Sequence, residues 1–136
     1  MIVDTSALVA VLWRERGYEP LRDALLSQPG RLPAPARVEL ERVIAGTRED
    51  AGADADALLA ELAERDFALL PFTPEHAQVA KTANARFGLG NGRGGTLNML
   101  DLMVYACAKV ERRPILCAGR DFRATDAAIH PASRAD

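Results

Sequence analysis

The sequence predicts an α/β fold in which a central, mostly parallel β-sheet carries helices on both faces. Short apolar segments suited to buried strands alternate along the chain with longer segments of helical periodicity. This alternation is typical of parallel sheets, because each crossover between parallel strands places a helix on a face of the sheet. The 136 residues contain no recognisable repeat or linker, so we expect one domain over residues 1–136.

Apolar runs bounded by turn residues predict the strands. They are expected over residues 2–3, 67–72 and 114–119, with a possible last short strand over 127–130. Pro29, Gly30 and Pro33 instead predict a loop between the second and third helices. The Gly-rich segment 87–95 (FGLGNGRGG) predicts another loop.

Apolar residues spaced three and four apart, together with capping residues, predict the helices. They are expected over residues 6–13, 18–27, 35–44 and 53–65, from residue 74 onward, and over 97–110. Thr73 is a predicted N-cap, and Pro35 and Pro74 suit first helical turns. The helix over 97–110 is apolar on nearly every side, so we expect it to be buried.

The composition is that of a globular protein, and it excludes several classes of function. A formal net charge of −2 argues against a protein that coats nucleic acid through charge alone. The opening segment has no basic stretch before its apolar run, and no segment approaches the roughly 20 apolar residues that cross a bilayer. We therefore expect a cytoplasmic protein without membrane contact. Cys107 and Cys117 fit neither a disulfide framework nor a zinc site and are predicted to be buried, whereas His76 and His130 are predicted on the surface.

Three acidic residues stand where a ligand site is expected. In a parallel sheet, ligands bind at the carboxyl ends of the strands, and Asp4 and Asp121 each lie just past the end of a predicted strand. Asp101 lies in the apolar helix, where an ionised carboxylate is costly unless it is compensated. Each has a structural alternative: an N-cap for Asp4, a first-turn acid for Asp101, and a solvated loop residue for Asp121. As ligands, their oxygen atoms suit Mg²⁺ or Mn²⁺.

The third predicted helix offers two glutamates, and periodicity does not choose between them. Glu39 and Glu41 flank the apolar stripe of this helix on opposite sides. Arg37 lies one turn before Glu41 and can pair with it on the surface. A solvated helix flank remains an alternative for either glutamate.

Four blocks of sequence together resemble the PIN-domain ribonucleases, specifically the VapC toxins of bacterial toxin–antitoxin pairs. The blocks are IVDTSAL, LPAPARVELE, LNMLDLMVYACA and GRDFRATD, and the resemblance runs from residue 1 to about residue 130. It implies a PIN-like fold, endonucleolytic cleavage of RNA with Mg²⁺ or Mn²⁺, a homodimer, and inhibition by a small VapB-type antitoxin.

The resemblance also implies roles for residues at matching positions. Asp4, Glu39, Asp101 and Asp121 fall where the family carries its acidic constellation, and Asp126 falls on a further acid common in this subgroup. Asp4 and Asp101 are the expected direct metal ligands. Glu39 and Asp121 are expected to orient water or to complete the metal shell.

One position departs from the family pattern. The family usually has Gly immediately before the helix acid, where this chain has Leu100. A side chain there could shift Asp101 or crowd the scissile phosphate, which leaves open a catalytically degenerate PIN domain that serves as a binding module. An aspartate-based phosphatase is a further alternative, although such enzymes typically carry a second Asp where this chain has Ser6. In the ribonuclease interpretation, Thr5 and Ser6 are expected to support Asp4 through hydrogen bonds.

Overall fold

The computed structural model describes residues 1–47 and 49–136. Its strands are β1 (Ile2–Val3), β2 (Gly30–Pro33), β3 (Phe67–Leu70) and β4 (Ile115–Leu116). They form one sheet in the order β3-β2-β1-β4, and every neighbouring pair is parallel. The predicted α/β class with a mostly parallel sheet is therefore confirmed.

Helices cover this sheet on both faces, as predicted. In the described part of the chain they are α1 (Thr5–Leu12), α2 (Glu19–Ser27), α3 (Ala34–Ala45), α4 (Ala51–Ala63), α5 (Pro74–Phe87) and α6 (Met99–Glu111), followed by a 3₁₀ helix (Asp121–Ala124). Helices α1–α4 lie in the connections from β1 to β2 and from β2 to β3, whereas α5 and α6 lie in the connection that returns to β4 at the opposite edge. Because crossovers between parallel strands are right-handed, the two groups lie on opposite faces.

The core lies where β1 and β4 meet α6. All four residues of these two strands are fully shielded from solvent, as expected for strands covered on both faces. Helix α6 is buried from Val104 to Ala108, which confirms the prediction of a buried helix. Cys107 and Cys117 are free and buried, also as predicted. Among the described residues, none of the helices combines the length and apolarity needed to cross a membrane.

Strand β2 shows that the predicted loop over residues 29–33 is wrong. β2 pairs with β1 on one side and, over all four of its residues, with β3 on the other. Gly30 suits this place because a Cβ atom there would lie 2.7 Å from the ring of Phe67. Pro33 closes the strand, and its φ of −53° and ψ of 137° lead directly into α3. Pairing with strands on both sides therefore overrides the local turn propensity.

The ends of several elements differ from the predictions by one to three residues, and one predicted strand is absent. Residues 127–130 do not form a strand, and Ile129 makes only an isolated bridge to Ile115. Helix α6 begins at Met99 rather than at residue 97, because Asn98 is its N-cap. The start of α6 is a difference at an element end, where capping decides the boundary.

The prediction of surface histidines is wrong for both His76 and His130. Each ring is buried, with exposed fractions of 1% and 8%. His76 accepts a hydrogen bond at Nδ1 from the Thr73 N–H at 3.0 Å, and its Nε2 lies 3.1 Å from Glu111 Oε1. His130 Nε2 lies 2.8 Å from Gln28 Oε1. His130 Nδ1 accepts a hydrogen bond from the Ala132 N–H at 3.1 Å. Both nitrogens of each ring therefore have partners, which offsets the cost of burying these rings.

Candidate active site

A cleft of about 310 Å³ opens near the carboxyl ends of β1 and β4. Its walls come from α1, α3, the start of α6 and the loop after β4. The lining residues are Asp4, Thr5, Ser6, Val9, Glu39, Val43, Asn98, Asp101, Ala118, Asp121 and Phe122. All four carboxylates predicted from the sequence therefore line one cleft, which we call the acidic cleft.

Asp4 is the most deeply buried acid of this cleft. It follows β1 directly and is the N-cap of α1, where its Oδ2 accepts a hydrogen bond from the Ser6 N–H at 3.0 Å. The Ser6 hydroxyl donates a second, short hydrogen bond to the same oxygen. Burial raises the pKa of Asp4, and the charge of Glu39 raises this pKa further. Asp4 is therefore an N-cap, as the structural alternative predicted, and the same carboxylate also lines the acidic cleft.

Ser6 also connects Asp4 to the loop after β4. Its Oγ accepts a hydrogen bond from the Ala118 N–H at 3.0 Å while it donates to Asp4. The expected support of Asp4 by Ser6 is therefore present in the structure. The Thr5 hydroxyl differs from the expectation, because it donates to the Ala36 carbonyl at 3.0 Å. Thr5 thereby ties the start of α1 to the first turn of α3, the helix that carries Glu39.

Asp101 lies in the first turn of α6 and is half-buried. It forms a reciprocal capping box with Asn98: Asn98 Oδ1 accepts from the Asp101 N–H at 2.9 Å, and Asp101 Oδ2 accepts from the Asn98 N–H at 3.0 Å. Burial raises the pKa of Asp101 to about 7, and the charges of Asp4, Asp121 and Glu39 raise it as well. Asp101 is thus both a first-turn acid and a member of the acidic cleft.

The other two carboxylates come from less buried positions. Glu39 lies on α3 and is half-buried at the wall of the cleft. Glu41 instead pairs with Arg37 at 3.0 Å on the outer side of the helix, which confirms the surface role expected for this pair. Asp121 is exposed at the start of the 3₁₀ helix. Its carbonyl accepts a hydrogen bond from the Thr96 hydroxyl at 2.7 Å.

Asp126 does not join the acidic cleft. Its Oδ1 accepts a hydrogen bond from the Tyr105 hydroxyl at 2.6 Å, and its Oδ2 accepts one from Lys109 Nζ at 3.2 Å. These contacts lower the pKa of Asp126, with the Tyr105 hydrogen bond as the largest cause. Asp126 therefore fastens the segment after the 3₁₀ helix to α6.

Leu100 and Asn98 show what the sequence could and could not indicate at this site. Leu100 is half-buried in the first turn of α6, and it is not among the lining residues of the acidic cleft. Asn98 does line the cleft, and our sequence analysis missed it. The signal was present, because Asn-x-x-Asp before an apolar run is a capping-box pattern.

The donor chemistry of the acidic cleft suits a hard cation, but the donors are not gathered into a cluster. Among the residues that the structure describes, no three His, Cys, Asp or Glu side chains are close enough together to hold a metal ion. All four acids offer carboxylate oxygens, which Mg²⁺ and Mn²⁺ prefer. Of the three neighbouring carboxylates whose charges raise the pKa of Asp101, Asp4 has the largest effect.

Comparison with known proteins gives a family match over most of the chain. A family model described as the PIN domain matches residues 1–128. A protein named ribonuclease VapC from Mycolicibacterium smegmatis is 37% identical over 133 residues, which cover 96% of this chain and 100% of that protein. Ribonuclease VapC28 from Mycobacterium tuberculosis is 38% identical over 123 residues, which cover 90% of this chain and 91% of that protein.

Solved structures with the same fold include toxins of toxin–antitoxin systems. A chain in the crystal structure of VapBC2 from Rickettsia felis bound to a promoter DNA fragment has a TM-score of 0.73 at 12% identity, with 94% of each chain covered. VapC20 from Mycobacterium tuberculosis, described as a sarcin–ricin loop cleaving toxin, has a TM-score of 0.71 at 16% identity, with 93% of this chain and 95% of that chain covered. At identities of 12% and 16%, these structural matches establish only that the chain shares the fold of these proteins.

Proposed function

Because the chain belongs to the PIN-domain family, we propose that it is a metal-dependent endoribonuclease that acts as the toxin of a toxin–antitoxin pair. The single observation that carries this proposal is the acidic cleft, in which four separate segments of the chain contribute carboxylates. The PIN-like fold and the relationship to VapC ribonucleases, both expected from four blocks of sequence, are confirmed by the matches. That residues 1–136 form a single PIN domain stays a prediction, which the family match over 1–128 supports.

The residues of the acidic cleft fit a divalent cation by their chemistry. Burial and the neighbouring carboxylates raise the pKa of Asp101, so a cation bound there would offset like-charge repulsion. Since the described side chains form no ready cluster of three, the ion would keep several of its waters. Mg²⁺ commonly binds in this way, with one or two carboxylates from the protein.

The proposed mechanism assigns a task to each acid. A divalent ion held by this cleft would supply Lewis-acid chemistry for the attack of water on a phosphodiester of RNA. Asp4 and Asp101 would hold the ion, and Glu39 and Asp121 would orient water or complete the shell. Ser6, which donates two hydrogen bonds to Asp4 Oδ2, would keep that carboxylate in place. This mechanism needs no side chain as a covalent nucleophile.

The proposed partners are an RNA substrate, a VapB-type antitoxin and a second copy of the chain. RNA as substrate is supported by the ribonuclease names of relatives that align over nearly their whole length. The antitoxin is supported by fold neighbours that were solved as VapBC or toxin–antitoxin complexes. The homodimer is proposed from the resemblance alone.

A cleavage assay tests this function. The purified protein is expected to cleave structured RNA with Mg²⁺ or Mn²⁺ and to lose this activity in EDTA. Asp4→Asn keeps the shape and the cap oxygen but removes a charge, so it should be inactive. Equal cleavage in EDTA, with contaminating nucleases excluded, would overturn the proposal. RNA binding without cleavage under every metal condition would favour the degenerate binding module instead.

A further inference from the structure

The loop that carries Asp121 is paired along its backbone with the segment 132–135, which we call the anchoring segment. The Arg134 N–H donates to the Cys117 carbonyl at 3.0 Å, and the Gly119 N–H donates to the Arg134 carbonyl at 2.9 Å. Gly119 has a φ of +111°, a conformation that other residues rarely adopt. The chain therefore turns at Gly119 towards Asp121 while its backbone is held by the anchoring segment.

Side chains add four more contacts between the anchoring segment and this part of the fold, one of which runs from the Cys117 N–H to Ser133 Oγ at 3.1 Å. The Ser133 hydroxyl donates to the Ile115 carbonyl in β4 at 3.1 Å. Arg120 donates through Nε to the Ala135 carbonyl at 3.0 Å, and Arg123 donates to the Ser133 carbonyl at 3.3 Å. Arg120 and Arg123 lie on either side of Asp121 in the sequence, so the loop is fastened before and after this acid.

Arg134 in turn fastens the anchoring segment to the turn after α1. Its guanidinium donates to the Glu15 carboxylate and, at 2.7 Å, to the Arg16 carbonyl. The side chain is only 17% exposed, and it packs against Gly17, where a Cβ atom would touch it at 3.4 Å. Arg134 therefore links the Asp121 loop to the far end of α1, the helix that begins at the Asp4 cap.

We propose that Arg134 is a positioning residue for Asp121 and acts through the anchoring segment. Asp121 is exposed where the loop after β4 enters the 3₁₀ helix, so its position relative to the other acids depends on what holds that loop. Small displacements of a catalytic group are costly to the rate, since reacting groups must be held in a narrow range of geometry. The proposal rests on the proposed function, and it concerns a segment that lies beyond the family match over residues 1–128.

A double-mutant cycle on RNA cleavage tests whether Arg134 acts through Asp121. Arg134→Ala should lower kcat by about tenfold or more with little change in KM, because the cleft would be misaligned rather than removed. In an Asp121→Asn background the same substitution should cost little further activity, since the residue being positioned is already disabled. Arg65→Ala is the matched control, because Arg65 also joins two segments through a carbonyl, that of Leu26 at 3.2 Å, but neither of those segments carries an acid of the cleft. Equal losses from Arg134→Ala in both backgrounds would overturn the proposal.

Hydrogen exchange on the whole protein gives a readout that does not require ribonuclease activity. Arg134→Ala should speed exchange of the amides over residues 117–124 and leave the middle of α6 unchanged. Should Arg134→Ala fail to fold, Glu15→Gln removes only the ion pair and should produce a smaller effect in the same amides. Unchanged exchange over 117–124 in a folded variant would overturn the positioning role even if the wild type cleaves RNA. If the wild type cleaves no RNA, the proposed function fails, and the exchange experiment alone decides whether Arg134 holds the segment that carries Asp121.

Discussion

Asn98 and Asp101 hold each other at the entrance to α6: each accepts, through its side chain, the backbone N–H of the other, at 2.9 and 3.0 Å. This reciprocal cap fixes the first turn of the helix and, with it, the direction of the Asp101 carboxylate. The same carboxylate lies in the acidic cleft with three other acids, and burial together with their charges raises its pKa to about 7. Asp101 therefore both stabilises the first turn of α6 and contributes a carboxylate to the acidic cleft.

Glu39→Gln should impair RNA cleavage far more than Glu41→Gln. Glu39 lines the acidic cleft, whereas Glu41 is paired with Arg37 on the outer side of α3. Loss of the exposed Arg37–Glu41 pair is expected to change stability by less than about 1 kcal/mol. Cleavage rates at matched folded fraction, with circular dichroism as the check on folding, compare the two variants. Comparable losses in both would show that Glu39 has no special role.

Leu100→Gly should leave cleavage unchanged or raise it. Leu100 does not line the acidic cleft, and Gly is the residue that the family usually carries at this position. The substitution should cost stability of roughly 1 kcal/mol, since glycine is a poor helix former. Activity and a thermal melt of the same preparation measure both effects. A folded but inactive Leu100→Gly variant would mean that the leucine side chain supports the cleft in a way that its contacts do not reveal.

Asp126→Ala should destabilise the fold while leaving the cleavage chemistry largely intact. Tyr105 is 3% exposed, and its hydroxyl would lose the acceptor that now lies 2.6 Å away. An unsatisfied buried hydroxyl costs about 1–3 kcal/mol. The hydrogen bond from Tyr105 also lowers the pKa of Asp126 below 3.8. Its contribution to stability is therefore present above about pH 4 and is lost as the pH falls through the lower folded-state pKa.

Urea unfolding at neutral pH and at about pH 3 measures the free energy of unfolding of the wild type and of Asp126→Ala. The gap in the free energy of unfolding should narrow at low pH, because the unfolded chain, in which the Asp126 carboxyl has the higher pKa, takes up the proton first. An Asp126→Ala variant that keeps wild-type stability but loses cleavage would place Asp126 in the catalytic machinery, contrary to its contacts.

Local sequence signals were sufficient where a short segment determines its own structure. Thr73 and Pro74 predicted the start of α5, and strand ends predicted Asp4 and Asp121 at one edge of the sheet. Strand β2 was missed because its pairing partners lie far away in the chain and outweigh the turn preference of Gly30 and Pro33. Such long-range pairing leaves no trace in local propensity.

The choice of Glu39 over Glu41 shows a second limit of local signals. Both residues flank the same apolar stripe, so helical periodicity did not distinguish them. Only the family resemblance favoured Glu39 as the site residue. The structure places Glu39 at the cleft because α3 packs with its inner side near the start of α6. That packing is a tertiary property, which the spacing of residues within one helix does not contain.

The pH dependence of stability should report the raised pKa of Asp101. The folded protein holds the Asp101 proton more tightly than the unfolded chain, whose carboxyl has a pKa near 3.8. The resulting stabilisation is therefore present below about pH 4 and is lost as the pH rises through about 7. Melting temperatures of the metal-free protein should fall more steeply between about pH 5 and pH 8 in the wild type than in Asp101→Asn. Over this pH range the free energy of unfolding should fall by on the order of 1 kcal/mol more in the wild type than in Asp101→Asn. The effect is no larger because Asp101 is partly exposed and solvent screens its charge. Parallel pH profiles for the two proteins would contradict the raised pKa.

Asp101→Asn should also separate the stability of the metal-free protein from its response to metal. The variant keeps an oxygen that can accept from the Asn98 N–H and removes one charge from the acidic cleft, so in EDTA it should melt at the wild-type temperature or above. A divalent ion that binds only the folded state raises the melting temperature with concentration, and this rise should be smaller in Asp101→Asn because a ligand has been lost. Asp126→Asn is the matched control, since it removes an equal charge outside the cleft and should keep the wild-type response to metal. The test compares the melting temperatures of the wild type, Asp101→Asn and Asp126→Asn in EDTA and in millimolar Mn²⁺. If Asp101→Asn lowers the stability in EDTA and responds to Mn²⁺ as the wild type does, Asp101 is a helix cap without a metal-binding role.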